Sequence, residues 1–156
     1  MGTEIERKFT VKHLPDGIND FGFHMIEQAY LTADPVIRVR REDDDYYMTY
    51  KGTGENDTSL AHTEYNLPLT KEAYEILLSK VDGNIIRKRR ILIPYDGHTI
   101  ELDIFEGVHK GLIIAEVEFS SIKEAEGFTP PQWFDKDVTD MKEYRNSYLS
   151  FRSQGR

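Results

Sequence analysis

Charged residues recur at every second position in segment after segment of this chain, beginning at residues 4–9. There Glu4, Glu6 and Lys8 alternate with an isoleucine, an arginine and a phenylalanine. Because successive side chains of a β-strand point to opposite faces, this alternation predicts a strand with one charged face. The Glu4 and Glu6 carboxylates would lie about 7 Å apart along it. A chain built from such strands must form a sheet whose two faces lie in different surroundings.

The alternation, together with the turn signals between the segments, predicts eight strands. We expect them at 3–11, 24–32, 36–42, 46–51, 60–67, 85–94, 98–105 and 112–119. The turns between them include the acidic run Asp43-Asp44-Asp45 and the hairpin signal Asp96-Gly97. Residues 52–59 have the composition of a loop. We expect helices at 70–81, at 121–126 and from Thr139 onward.

The length of 156 residues predicts one domain, spanning 1–156, that is large enough to enclose a core. A net charge of −8 argues against a long nucleic-acid groove, which needs a basic surface. No apolar run is long enough for a membrane helix, and the first residues lack a signal-peptide core. The absence of cysteine excludes disulfides and thiolate metal sites. We therefore expect a cytoplasmic protein that binds neither membranes nor nucleic-acid polymers.

The charged residues at alternating strand positions segregate by sign from strand to strand. The acids are Glu4, Glu6, Glu64, Glu101, Asp103, Glu116 and Glu118. The bases are Lys8, Arg38, Arg40, Lys51, Lys88 and Arg90. They could all be solvated on the outside of a sheet, but charges placed for solubility usually mix both signs. The segregation favours an α+β fold, mainly β, in which a closed eight-stranded barrel holds the charges inside and flanking helices cover its apolar exterior.

A charged barrel interior of this kind predicts a small polyanionic ligand together with divalent cations. Because the six bases nearly balance the seven acids, most of the net negative charge lies outside the proposed site. No histidine falls at a suitable position among the carboxylates. Oxygen-only ligands suit hard cations such as Mg²⁺, Mn²⁺ or Ca²⁺ rather than zinc. The chain has neither a Walker-type phosphate loop nor a nucleophile elbow.

The order and spacing of these motifs resemble the CYTH superfamily, the triphosphate tunnel metalloenzymes, over essentially the full length. The matching elements are Glu4-x-Glu6-x-Lys8, Arg38-x-Arg40, Lys51, Glu64, Lys88-x-Arg90, Glu101-x-Asp103 and Glu116-x-Glu118. Tyr30 and the run Tyr144-Arg145-Asn146 are also similar to small bacterial members, although Arg145 stands where lysine is commoner. The resemblance implies an antiparallel eight-stranded tunnel that binds a linear triphosphate and one or two Mg²⁺ or Mn²⁺ ions.

The resemblance also implies roles for individual residues. The residues expected to bind phosphate are Lys8, Arg38, Arg40, Lys51, Lys88 and Arg90. The residues expected to bind the metal are Glu4, Glu6, Glu116 and Glu118. The expected catalytic residues are Lys51 or Lys88, as proton donor to the leaving phosphate, and Glu64 and Asp103, which would orient water. Tyr30 and Glu101 would support this set as neighbours.

We therefore predict a divalent-metal-dependent hydrolase of inorganic triphosphate, with nucleoside triphosphates as further candidate substrates. One alternative within the same fold is a class IV adenylyl cyclase. Another is a non-catalytic module that binds polyphosphate or a phosphorylated metabolite. Such a module needs the bases but not the paired acids, so the acids favour an enzyme. The physiological substrate, the preferred metal and the choice between monomer and homodimer stay open.

Overall fold

The computed structural model describes residues 2–52 and 60–152. Nearly all of the loop predicted at 52–59 lies outside the described residues. Within them, nine strands form a single antiparallel sheet. The strands are β1 (Gly2–Val11), β2 (Phe23–Ala33), β3 (Val36–Glu42), β4 (Asp45–Gly52), β5 (Ala61–Pro68), β6 (Ile86–Tyr95), β7 (His98–Glu106), β8 (Ile113–Glu118) and β9 (Phe134–Asp137).

The first eight strands close into a barrel. The sheet runs in the order β5-β4-β3-β2-β6-β7-β8-β1, and β1 then pairs with β5 to complete the ring. Strand β1 closes it by changing partners: residues 2–5 pair with β5, and residues 6–9 pair with β8. The predicted closed eight-stranded barrel is confirmed, and each predicted strand differs from the observed one by at most one residue at either end.

The ninth strand was not predicted. Its four residues, 134–137, show no clear alternation of apolar and polar side chains. Strand β9 forms because β1 extends past β5 and leaves a free edge there, where Phe9 pairs with Asp137 and Val11 with Phe134. Phe134 then packs on the ring of Phe9, with ring centroids 4.7 Å apart. This pairing depends on contacts that are distant in sequence.

The α-helices within the described residues are short. They are α1 (Lys71–Leu78), α2 (Ile122–Glu126) and α3 (Asn146–Arg152). Thr70 and Ser121 cap the first two as predicted, because each hydroxyl oxygen accepts a bond from a backbone N–H three residues later. None of these helices has the length and apolar character needed to cross a bilayer.

Two helix predictions need correction. Helix α1 ends at Leu78 rather than Val81, because Ser79 is its C-cap and the chain turns there. The final helix begins at Asn146 rather than Thr139. The Thr139 hydroxyl instead accepts a hydrogen bond from the backbone N–H of Lys8, 3.0 Å away, so it fastens the end of β9 to β1.

The apolar residues form the outer layer of the barrel wall and the charged residues form the inner layer. The main core lies outside the barrel, where the outward faces of β1, β6, β7 and β8 pack against the segment 122–134. A second cluster lies beneath α1. Inside, seven charged residues are at most 8% exposed. They are Lys8, Arg38, Arg40, Lys88, Arg90, Asp103 and Glu116. The solvated-sheet alternative is therefore excluded.

Helix α3 packs against one end of the barrel. There the inward positions turn apolar, and Leu149 packs with Tyr30, Ile86, Phe105 and Ile114. The opposite end, at the β3–β4 turn, has an acidic rim that includes Glu42, Asp44 and Asp45. The two ends of the barrel therefore differ in chemistry.

Candidate active site

A cavity of about 950 Å³ inside the barrel brings most of the predicted site residues together. It extends from the β3–β4 turn to the start of α3. The predicted residues that line it are Glu4, Glu6, Lys8, Tyr30, Arg38, Arg40, Lys51, Glu64, Arg90, Glu101, Glu116 and Glu118. Lys88 and Asp103 do not line it. Both are 0% exposed and lie inside the barrel, where Lys88 contacts Asn146 at the end covered by α3.

Two arginines of β3 face the cavity with mostly neutral partners. Arg38 Nη2 donates to Thr49 Oγ1 at 2.9 Å, and Arg40 Nε donates to Gln28 Oε1 at 2.7 Å. The nearest carboxylate of Arg40 is Glu42 at the rim, 3.8 Å away. Because neither buried guanidinium group has a carboxylate closer than 3.8 Å among the described residues, both can bind an anion without first breaking a short ion pair.

The lysines of the cavity are paired with carboxylates. Lys51 Nζ lies 2.7 Å from Glu4 Oε1 and 3.7 Å from Glu64 Oε2. Lys8 Nζ lies 3.5 Å from Glu116 Oε1. Burial acts to lower the pKa of Lys51, but the neighbouring Glu4 and Glu6 outweigh it and raise that pKa. Lys51 therefore stays an ammonium at neutral pH.

Behind the cavity, Asp103 joins two bases in a buried network. It accepts bonds from Arg90 at 2.8 and 2.9 Å, and its Oδ2 lies 2.7 Å from Lys88 Nζ. Burial would raise the pKa of Asp103, but Arg90 and Lys88 hold it below its usual value. Burial lowers the pKa of Lys88 to about 8 despite the ion pair. Arg90 Nη2 also donates a hydrogen bond to Glu116 Oε2 at 3.1 Å, so the network supports one wall of the cavity.

Three carboxylates converge on one point. Oxygens of Glu4, Glu6 and Glu118 all lie within 4.8 Å of one another. Burial, followed by repulsion from Glu116 and Glu4, raises the pKa of Glu6 to about 8. Burial and repulsion from neighbours, led by Glu101, raise the pKa of Glu118 to about 7. The protein's own bases thus leave negative charge uncompensated here, and an all-oxygen ligand set of this kind fits a hard divalent cation.

The fourth predicted metal ligand, Glu116, is not part of this three-carboxylate cluster. Lys8 and Arg90 both contact it. Burial would raise its pKa, but the attraction of those two bases lowers it well below the ordinary value. Glu116 is therefore a counter-ion of Lys8 and Arg90.

The model of the CYTH domain matches residues 2–150 of the chain. The chain belongs to the CYTH domain family. Membership implies a divalent metal, in agreement with the carboxylate cluster, and the predicted family is confirmed.

Two bacterial proteins are similar in sequence to this chain over nearly its whole length. An inorganic triphosphatase of Nitrosomonas europaea is 37% identical in an alignment that covers 95% of this chain and 97% of that protein. An inorganic triphosphatase of Acetivibrio thermocellus is 36% identical in an alignment that covers 96% of this chain and 94% of that protein. The crystal structure of the inorganic triphosphatase NE1496 superposes with a TM-score of 0.69 at 36% identity, covering 96% of this chain and 95% of that chain.

The alternation of charged residues did not predict several residues of this CYTH site. Thr49 accepts a hydrogen bond from Arg38, and Gln28 accepts one from Arg40. Asn66 accepts a hydrogen bond from the Thr49 hydroxyl. All three residues lie at inward positions of their strands. Extending the alternation to neutral polar residues would have found them. Asn146 and Ser147 line the cavity from the start of α3. No alternation marks those two, because a helix brings them there from outside the barrel.

Proposed function

We propose that this chain hydrolyses inorganic triphosphate to pyrophosphate and phosphate with the help of a divalent metal. One observation carries the proposal: one cavity places two arginines that have no short ion pair opposite a cluster of three carboxyl groups, of which Glu6 and Glu118 have no base partner among the described residues. The arginines suit the phosphate oxygens of a polyanion, and the carboxylates suit a cation. Phosphoryl transfer needs both, because charge on the equatorial oxygens must be offset while the chain is held in line.

The phosphates would bind to the bases that reach the cavity. We assign this role to Lys8, Arg38, Arg40, Lys51 and Arg90. Because these residues come from β1, β3, β4 and β6, they surround the ligand from several walls. Three linked phosphates can contact more of them than two, which favours triphosphate over pyrophosphate.

The metal would be Mg²⁺ or Mn²⁺, held by Glu4, Glu6 and Glu118. When bound, a divalent ion offsets phosphate charge and lowers the pKa of a coordinated water. In this proposal Glu116, a predicted ligand, chiefly keeps Lys8 and Arg90 in place. Glu64 lines the cavity beside Lys51 and keeps its proposed role of orienting water.

Of the two lysines considered as proton donor, Lys51 is the one that faces the cavity. It would offset charge on the leaving phosphate as the bridging P–O bond breaks, as an ammonium group whose raised pKa keeps it charged. Lys88 and Asp103 do not reach the cavity, so we assign them the positioning of Arg90 instead. Tyr30 and Glu101 line the cavity as supporting residues.

The experiment is an assay of the purified protein with tripolyphosphate and, separately, with ATP. Phosphate release from tripolyphosphate that requires Mg²⁺ or Mn²⁺ and stops with EDTA is the expected result. Cyclic AMP as the main product from ATP would favour the cyclase. Tight triphosphate binding without turnover would favour the binding module. The cytoplasmic location and the open question of a homodimer are tested separately, by cell fractionation and by light scattering.

A further inference from the structure

Asn146, the first residue of α3, connects the cavity with the buried cation behind it. Its side chain lines the cavity, and its Oδ1 accepts a hydrogen bond from Lys88 Nζ at 3.2 Å. Lys88 itself is 0% exposed and does not line the cavity. Asn146 is therefore the point at which this buried ammonium meets the lining of the site.

The chemistry of Lys88 determines which way the Asn146 amide points. An ammonium group has three donors and no acceptor, so only the amide oxygen can face it. The NH₂ group, with its two donors, must then point away from Lys88. Within residues 2–52 and 60–152 the structure records no hydrogen bond from Asn146 Nδ2. The amide therefore has free donors, on a residue that lines the cavity.

The orientation is held firmly because Lys88 cannot move independently. Its ion pair with Asp103 is 2.7 Å long, and Asp103 accepts two further bonds from Arg90. Lys88 also lies 5.3 Å from the ring centroid of Phe105. One buried network thus sets the position of both Arg90 and Asn146, which line the same cavity.

We infer that Asn146 is a substrate-binding residue whose side-chain NH₂ donates to a phosphate oxygen of the triphosphate, oriented by Lys88. This rests on the proposed function. A neutral donor adds a contact without adding charge to a cavity already rich in bases. The inference also gives Lys88 a second positioning role, through Asn146, in addition to its contact with Asp103.

The decisive variant is Asn146→Asp. The new carboxylate has nearly the same shape and still accepts from Lys88, so α3 should stay in place. On the cavity side, however, a donor becomes an anion that repels phosphate. We expect Asn146→Ala to lower kcat/KM for tripolyphosphate about 10- to 100-fold, the range for one hydrogen bond to a charged group. Asn146→Asp should cost more than Asn146→Ala.

Asn84→Asp is the matched control. Asn84 Nδ2 donates to the backbone oxygen of Ser150 in α3 at 3.2 Å, outside the cavity. The same chemical change there loosens α3 without altering the cavity lining, so it should lower Tm but change kcat/KM less than about threefold. If Asn84→Asp were as damaging as Asn146→Asp, the effect would be structural and the inference overturned. Near wild-type activity of Asn146→Asp would overturn it as well.

Two further measurements keep the inference separate from the proposed function. Calorimetry of tripolyphosphate binding in EDTA needs no turnover, so weaker binding by Asn146→Ala supports the inference even if the wild type proves not to be a hydrolase. Equal affinity of Asn146→Ala and wild type would overturn it. If both variants misfold, the Asn146 side-chain amide signal of the wild type is followed by NMR. A shift with saturating tripolyphosphate supports the contact, and an unmoved signal overturns it.

Discussion

At the scale of single residues, arginine has two different uses on the alternating faces of this barrel. Arg38 and Arg40 point inward and are buried with mostly neutral partners. Arg7 points outward, where it donates to Ala125 O at 3.0 Å and to Asp137 at 2.8 Å. Arg41 also points outward and donates to Asp43 O. Neighbouring positions of one strand thus carry side chains with different uses. The inward side chain faces the cavity, and the outward one is part of the outer packing or lies in solvent.

The pair Arg40 and Arg41 tests this division directly. Arg40→Ala removes a buried charge-stabilising donor, so it should cost about 2–4 kcal/mol of transition-state stabilisation. Arg41→Ala should leave kcat/KM for tripolyphosphate within a few-fold of wild type. Steady-state kinetics of both variants measures the difference. Equal damage would mean that the register of β3 is wrong by one residue.

The raised pKa of Glu6 makes the metal-free protein sensitive to pH. Its folded-state pKa of about 8 exceeds the usual value of 4.5. Folding therefore favours the protonated form, and the stability from this group is lost as pH rises from about 4.5 through 8. Metal-free Glu6→Gln should accordingly gain Tm relative to wild type between pH 5 and pH 8. A difference in Tm that stays constant over this range would contradict the raised pKa.

At the scale of elements, α3 does more than cover one end of the barrel. Leu149 fills the apolar end of the interior, while Asn146 reaches the cavity on the same short helix. The loop before β6 fastens this helix, because Asn84 N–H donates to Ser150 O at 2.7 Å and the Ser150 hydroxyl donates to Asn84 O at 2.8 Å. The packing of α3 thus places part of the site.

Leu149 should therefore matter for stability as well as for the site. Leu149→Ala leaves a cavity among Tyr30, Ile86 and their neighbours, so it should lower the free energy of unfolding by about 2–5 kcal/mol. Tyr148, which is 37% exposed, is the control on the same helix. Tyr148→Ala should change stability by about 0.5 kcal/mol or less. Urea denaturation compares the two, and equal effects would place α3 elsewhere.

At the scale of the whole molecule, the barrel reverses the usual arrangement of a small β-protein. Its apolar residues face outward beneath α1 and the segment 122–134, and its charges face inward. Inside, most bases have an acid partner, but the cluster of Glu4, Glu6 and Glu118 retains excess negative charge. These carboxylates repel one another, and a bound cation would relieve that repulsion.

Metal should accordingly stabilise the fold, and two glutamates of β8 should respond differently. A cation that binds only the folded chain adds about 2.7 kcal/mol at a hundredfold excess over its Kd. Metal-free Glu118→Gln should melt no lower than wild type yet lose most of the Mg²⁺- or Mn²⁺-induced rise in Tm. Metal-free Glu116→Gln should melt lower, because Lys8 and Arg90 lose a counter-ion. Thermal melts with and without metal decide this, and an undiminished metal shift in Glu118→Gln would exclude Glu118 as a ligand.

The sequence by itself determined the strands and the face on which each charge lies. The alternation is a local property, since each side chain's direction follows from its position along its own strand. Glu4, Glu6 and Lys8 could therefore be assigned to one face without any knowledge of their neighbours. The segregation of signs then favoured a closed interior over a solvated face, and the barrel confirmed it.

Only the tertiary structure decided what each inward charge does. Lys88 and Arg90 share a face, but Lys88 is fully buried against Asp103 and Asn146 and does not line the cavity, whereas Arg90 does. Glu116 and Glu118 also share a face, but only Glu118 joins the carboxylate cluster. Strand β9 and the start of α3 follow no local pattern. Burial, ion pairing and pKa depend on groups distant in sequence, which a period of two residues does not encode.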